Sequence, residues 1–138
     1  MKVLFVTGFG PIVRDHASSR KLYVETLGLP LSPHASNADY FHTNKIDGVK
    51  EFALWSLEDA AESCFGARVW PDHLPVPQAW LEFDVEDIAA ATTQLEGQGH
   101  RLLTAQRQEP WGQTVTRFLS PEGILLAITH SPWLRTAV

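Results

Sequence analysis

The sequence predicts an α+β chain built of two tandem βαβββ modules. Three observations carry this expectation. The order strand, helix, strands occurs twice within 138 residues. An offset of 72 residues carries Val13-Arg14-Asp15, ahead of the first predicted helix, onto Val85-Glu86-Asp87, ahead of the second. Both helices close on leucine and then glycine, at Leu27-Gly28 and at Leu95 to Gly97. Repetition of one supersecondary unit at a fixed offset is the signature of internal duplication. The length suits a single domain over 1–138, with module 1–66 and module 78–131 joined by a linker 67–77 that carries Pro71, Pro75 and Pro77.

Taken in order, residues 2–13 are rich in Val, Phe and Ile and read as a strand, with Pro11 marking an edge, a bulge or the strand's exit. Asp15 is placed to cap a helix running to Leu27, and Gly28 stands where a left-handed C-cap belongs. Pro30 and Pro33 stop it. Short strands fit 38–43 and 49–56 around an Asp47-Gly48 turn, and a small helix fits 57–65, ending at Gly66. The pattern then restarts. Gln78 to Val85 alternates as a strand, with Leu81, Phe83 and Val85 on one face and Trp80, Glu82 and Asp84 on the other. Residues 87–96 form a helix with Ile88, Ala91 and Leu95 along one stripe. Strands at 101–104, 113–119 and 123–130 follow, the last pair turning at Pro121-Glu122-Gly123.

The bulk composition narrows the function classes. With 44% hydrophobic and 20% charged residues the chain can bury a sizeable core. Its formal charge of -5, with no basic stripe, argues against nucleic acid and favours neutral or cationic ligands. Cys64 stands alone, so neither an intramolecular disulfide nor a cysteine-based zinc site is available. The apolar run Val3-Leu4-Phe5-Val6 is too short for a signal-peptide core, and no stretch approaches a membrane span, so a cytoplasmic protein is expected. The six histidines are dispersed and none pairs at helical i, i+4 spacing.

Three stretches in order resemble the glyoxalase/bleomycin-resistance/extradiol-dioxygenase (vicinal oxygen chelate) superfamily. They are Val13 to Leu29 with its Tyr23 and closing Leu27-Gly28-Leu29, Leu81 to Ile88, and the hairpin Phe118-Leu119-Ser120-Pro121-Glu122-Gly123. The resemblance implies two modules whose curved mixed sheets form a cup. In the family's metal enzymes four side chains on the cup wall hold a divalent ion that polarises substrate oxygens. Carried over, those positions are Gly8, Trp55, Trp80 and Ala127, and none supplies a lone pair to a metal. The resemblance therefore points to the metal-free, bleomycin-resistance-like branch, whose members sequester compounds as dimers.

Gly8 and Gly10 lack the third glycine and the helix start of a dinucleotide loop. They read either as a bulged strand making room for neighbours or as space for a ligand ring. Trp55 and Trp80 either fill the cup or wall it for a planar ligand. Glu51 and Glu82 are either solvated rim carboxylates or partners of a cationic group. By the same resemblance Trp111 and Gln113, in Glu109-Pro110-Trp111-Gly112-Gln113, lie near a pocket mouth. The expected ligand-binding set is Gly8, Gly10, Glu51, Trp55, Trp80, Glu82, Trp111 and Gln113, with no catalytic residue, no metal and no cofactor. The leading expectation is a homodimeric, metal-independent binder of an aromatic or planar compound, antibiotic-like and suited to a cationic group, with no nucleic-acid or membrane partner. The alternative is a metal-dependent lyase or dioxygenase with displaced ligands such as His42, His130 and Glu51. A third reading is a filled cup acting only through protein contacts.

Overall fold

The computed structural model describes residues 1–135. Eight strands form one sheet: β1 (Val3–Val13), β2 (Ser32–His34), β3 (Asn37–Thr43), β4 (Glu51–Ser56), β5 (Ala79–Val85), β6 (Leu102–Gln108), β7 (Thr114–Leu119) and β8 (Leu125–His130). Their order across the sheet is β2-β3-β4-β1-β5-β8-β7-β6. The two halves repeat one connectivity. β1 runs parallel to β4 as β5 runs parallel to β8, and β1 and β5 meet antiparallel at the centre. The modules therefore pair within one chain.

The helices follow from their caps. Asp15 accepts the backbone N–H of Ser18 and starts α1 (His16–Arg20), and Asp87 accepts that of Ala90 and starts α3 (Ile88–Gly97). These are the two aspartates that the 72-residue offset superposes. Between α1 and Leu27 the chain departs from the expected α-helix. Residues Lys21–Thr26 are π-helical, and the Leu27 N–H reaches back five residues to the Leu22 carbonyl. Ser56 caps α2 (Leu57–Phe65), which stops at Gly66 in the left-handed conformation. The strand expected at 101–104 is longer, because a bulge around Gln106, with φ of 47°, lets β6 continue past it. β2 was not expected, since Pro33 sits in it; the strand is at the sheet's edge, where a missing N–H is tolerated.

Alternation sorts the side chains onto two faces. On the outer face Tyr23 and Val24 pack on Phe41, Phe52 and Leu54, and α3 packs through Ala91 and Leu95 on Val85 and Ile128. The other face carries Ile12, Ala53, Trp55, Trp80 and Leu125 and is covered by α2 through Ala60, Ala61 and Cys64. α2 thus lies in the cup, reaching from the first module to β6 of the second. Among the described residues, no helix is long and apolar enough to cross a membrane.

Candidate functional site

The cup face is built around the two glycines of β1. Gly8 lies opposite Glu51 on β4 and Glu82 on β5, and Gly10 lies opposite Trp80. A methyl group on Gly8 would sit 2.6 Å from Cη2 of Trp80. One on Gly10 would sit 1.9 Å from the Ala53 carbonyl oxygen. The space left by both glycines is therefore taken up by the Trp80 indole and the β4 backbone. Trp80 donates its Nε1 hydrogen to the Ala53 carbonyl (3.2 Å) and meets Trp55 edge to face at 6.0 Å. Both indoles are buried, at 3% and 8% exposure.

Beside them stands a charge that was missed in the sequence. Arg117 on β7, 1% exposed, lies opposite Ala127, and its guanidinium sits 4.7 Å from the centre of the Trp55 ring. Its Nη1 donates to Glu82 (2.8 Å) and its Nε to the Ser63 hydroxyl (3.1 Å). Burial disfavours its charge, but Glu82, with Cys64 and Glu109 behind, outweighs that and raises its pKa. The signal that could have found it is strand period. Gln113, Val115 and Arg117 share a face, so placing Gln113 in the cup places Arg117 there also.

The network extends to the surface on one side. Gln113 donates to Glu82 (3.1 Å) and to the Ser131 hydroxyl (2.9 Å), and accepts from the Trp111 indole (2.9 Å). Trp111 itself is 52% exposed. Ser63 also donates to buried Glu109 (2.6 Å), which lies 3.5 Å from Arg107. Burial pushes the neighbouring Cys64 thiol up to about 11, so it stays protonated and unreactive at neutral pH.

On the other side the first module presents a half-open rim. Glu51 accepts from His42 Nδ1 (2.8 Å) through one oxygen and from the Tyr40 hydroxyl (3.1 Å) through the other. Burial, then the charges of Glu51 and Glu82, holds the Tyr40 hydroxyl well above its ordinary pKa, which keeps it a donor. The Tyr40 and His42 rings stack at 5.5 Å. Of the eight expected ligand residues, Gly8, Gly10, Trp55 and Trp80 lie inside, Glu82 and Gln113 in the buried network, Trp111 in the turn at the exposed end of that network, and Glu51 in the separate Tyr40–His42 cluster. Asp84, on the same face of β5 as Glu82, is taken by Thr129, the Ser131 N–H and Arg135.

The donor set does not fit the divalent ion of the family's enzymes. A glycine, two indoles and an alanine stand at the four positions that the sequence resemblance assigns to metal donors. Among the described residues, no group of three or more His, Cys, Asp or Glu side chains is placed to hold a metal. His42 and Glu51 do meet, but His130 lies elsewhere, beside a cleft formed by Met1, Lys2, Asp87 and Gln94.

No curated protein matches the chain. Solved structures do share its fold. A glyoxalase/bleomycin resistance protein/dioxygenase superfamily member from Vibrio splendidus 12B01 aligns with a TM-score of 0.59 at 14% identity, over 91% of this chain and 97% of that one. Methylmalonyl-CoA epimerase from Mycobacterium tuberculosis aligns with a TM-score of 0.57 at 18% identity, over 98% and 93%. A Streptomyces coelicolor methylmalonyl-CoA epimerase variant, in complex with 2-nitronate-propionyl-CoA, gives 0.55 at 15% identity, over 95% and 96%. At these identities the likeness is one of fold. A sequence profile matches residues 9–128, nearly the whole chain. The chain belongs to the Glyoxalase/Bleomycin resistance protein/Dioxygenase superfamily.

Proposed function

We propose that this protein is a metal-independent small-molecule binder of the bleomycin-resistance type. It takes a planar or aromatic compound, antibiotic-like in character, against the open part of its cup. The observation that carries the reading is the content of the cup centre. Where the family's enzymes place metal donors, this chain has Gly8, Trp55, Trp80 and Ala127, with the Arg117–Glu82 pair buried among them. A guanidinium is charged at every physiological pH and has no lone pair to give, so it supplies a fixed cation in a cup without metal donors.

The surfaces left to a ligand are ring faces and one carboxylate. Trp111 stands exposed at the end of the Gln113–Glu82 network, and Tyr40, His42 and Glu51 form a separate, half-buried cluster on the first module. Flat rings with few convergent polar groups suit a planar guest, and the chain's net charge of -5 favours a cationic one. The apolar side chains Val6, Phe9, Leu22 and Leu27 are exposed and support pairing of two copies as a homodimer.

The test is a titration with bleomycin and with a planar cationic dye such as acridine orange, followed by tryptophan fluorescence. Saturable quenching that weakens about tenfold or more in Trp111→Ala or Glu51→Gln is the expected result. The rival reading is a metal-dependent lyase or dioxygenase. It predicts stoichiometric Fe, Ni, Mn or Zn that survives dialysis, and finding that by elemental analysis would overturn the proposal. Sedimentation velocity decides the dimer.

A further inference from the structure

The rim of the first module holds two imidazoles whose protonation patterns are fixed by different partners. His34, on edge strand β2, receives the Ser36 backbone N–H at its Nδ1 (3.1 Å). A backbone N–H can only donate, so this Nδ1 carries no hydrogen and the neutral ring holds its proton on Nε2. The Ser36 hydroxyl, 2.8 Å from the same Nδ1, must then donate as well. His42, on β3, faces the Glu51 carboxylate with its Nδ1. An ionised carboxylate only accepts, so this ring carries a proton on Nδ1, and in its neutral form it bares a lone pair on Nε2. The two rings lie 5.0 Å apart between centroids, tilted by 48°, with Tyr40 flanking both. No hydrogen bond joins the two rings or ties either Nε2 to another described residue, and both side chains are half-buried.

We propose that His34 and His42 form a donor–acceptor pair, Nε2–H on one and a bare Nε2 on the other, that recognises the adjacent N–H and C=O of a planar lactam or cyclic amide. This deepens the binding function proposed above and rests on it. The ligand's C=O accepts from His34 while its N–H donates to His42. The same tautomers disfavour a metal bridging the pair. A metal on His34 Nε2 would require the ring proton to move to Nδ1, where the Ser36 N–H already points. Tyr40 contributes a ring surface, and through Glu51 it helps hold His42 in register.

The probe is 2-quinolone, a planar lactam, set against N-methyl-2-quinolone, which keeps the shape and the C=O but lacks the N–H. Nitrogen-15 side-chain spectra of the full chain should show His34 protonated on Nε2 and His42 on Nδ1. 2-Quinolone should shift both imidazoles, and the N-methyl analogue should bind about tenfold more weakly, as expected for one lost hydrogen bond. His42→Phe, which keeps a ring but removes the acceptor, should erase that difference. The opposite tautomers, equal affinity for the two probes, or no binding of 2-quinolone would each overturn the pair. Fluorescence quenching by both probes alike, with no imidazole shift, would do so while leaving the wider binding function standing. Failure of every planar probe, bleomycin and acridine orange included, would sink both.

Discussion

Single residues decide how this cup is filled. Gly8 and Gly10 both admit a neighbour, but not the same kind. The obstacle to a side chain at Gly8 is the Trp80 ring, whereas at Gly10 it is first the Ala53 backbone. Gly8→Ala should therefore cost about 1–3 kcal/mol, the usual range for overpacking, and much of that should return when Trp80→Leu removes the ring. Gly10→Ala should cost at least as much and should not be relieved by Trp80→Leu, because a backbone carbonyl cannot be trimmed. A double-mutant cycle in urea measures both, and equal rescue at the two positions would contradict the geometry. Arg117 makes a second prediction. Arg117→Met leaves Glu82 buried with Gln113 as its remaining donor, and breaking a buried pair from one side costs about 3–5 kcal/mol. Replacing both, as Arg117→Met with Glu82→Met, should cost less than the sum of the single changes. Additive losses in the same denaturation assay would mean the two charges are not coupled. The equivalence of Gly8 and Trp80 could be read from the 72-residue offset, although in the sheet Gly8 lies opposite Glu82 and Trp80 opposite Gly10. What the indole touches could not, because that depends on how closely β4 approaches β1.

Elements declared themselves where their signals are local. Asp15, Ser56 and Asp87 each cap a helix, and α2 ends at Gly66, as expected, with that glycine in the left-handed conformation. The misses come from features with no local signal. The π-helical turn depends on Leu27 bonding Leu22 rather than Tyr23, a choice that leaves the apolar pattern unchanged. β2 was hidden by Pro33. The position of α2 inside the cup is a tertiary fact, although its Ala60, Ala61 and Cys64 do mark a small-residue face that suits close packing on indoles. Asp59 fastens this helix at its first turn, accepting from Asn37 on β3 (2.8 Å) and from Arg68 beyond the helix (2.8 Å). Burial pushes its pKa up, but the bonds from Asn37, Arg68 and Ser56 outweigh this and hold it below the ordinary value. A carboxyl whose folded pKa is depressed contributes stability that is full above its unfolded value and fades as pH falls through the folded one. Asp59→Asn should therefore be least stable relative to the parent near neutrality, and the gap should close on acidification to below the ordinary carboxylate range. Denaturation midpoints across that range measure it, and a gap that widens with acid would reverse the sign assigned here.

At the scale of the molecule, the two modules share a sheet, a core and a polar network, and this fixes how the chain unfolds. β1 and β5, one from each module, form the central antiparallel ladder, so neither half has a sheet edge of its own at the centre. α2 belongs in sequence to the first module but packs toward β6 of the second. There Arg107 donates to the carbonyls of Glu62 and Ser63, and Arg117 and the Ser63 hydroxyl bond across the same boundary. The apolar cluster beneath joins Trp55 from the first module to Trp80 and Leu125 from the second. Separating the halves would expose two indoles, a buried ion pair and a full strand edge at once. No half-folded state with one intact module should therefore be populated, in spite of the duplicated sequence. Urea unfolding followed by far-ultraviolet dichroism, by tryptophan fluorescence and by dispersed amide signals from each module should give one coincident midpoint. Ser63→Ala should lower that midpoint by leaving Glu109 and Arg117 each short of a partner, at a cost of about 1–3 kcal/mol, without splitting the transition. Two resolved midpoints in the parent protein would show that the modules fold as separate units joined only by the 67–77 linker. The shared ladder, the crossing helix and the joint core all argue against that outcome.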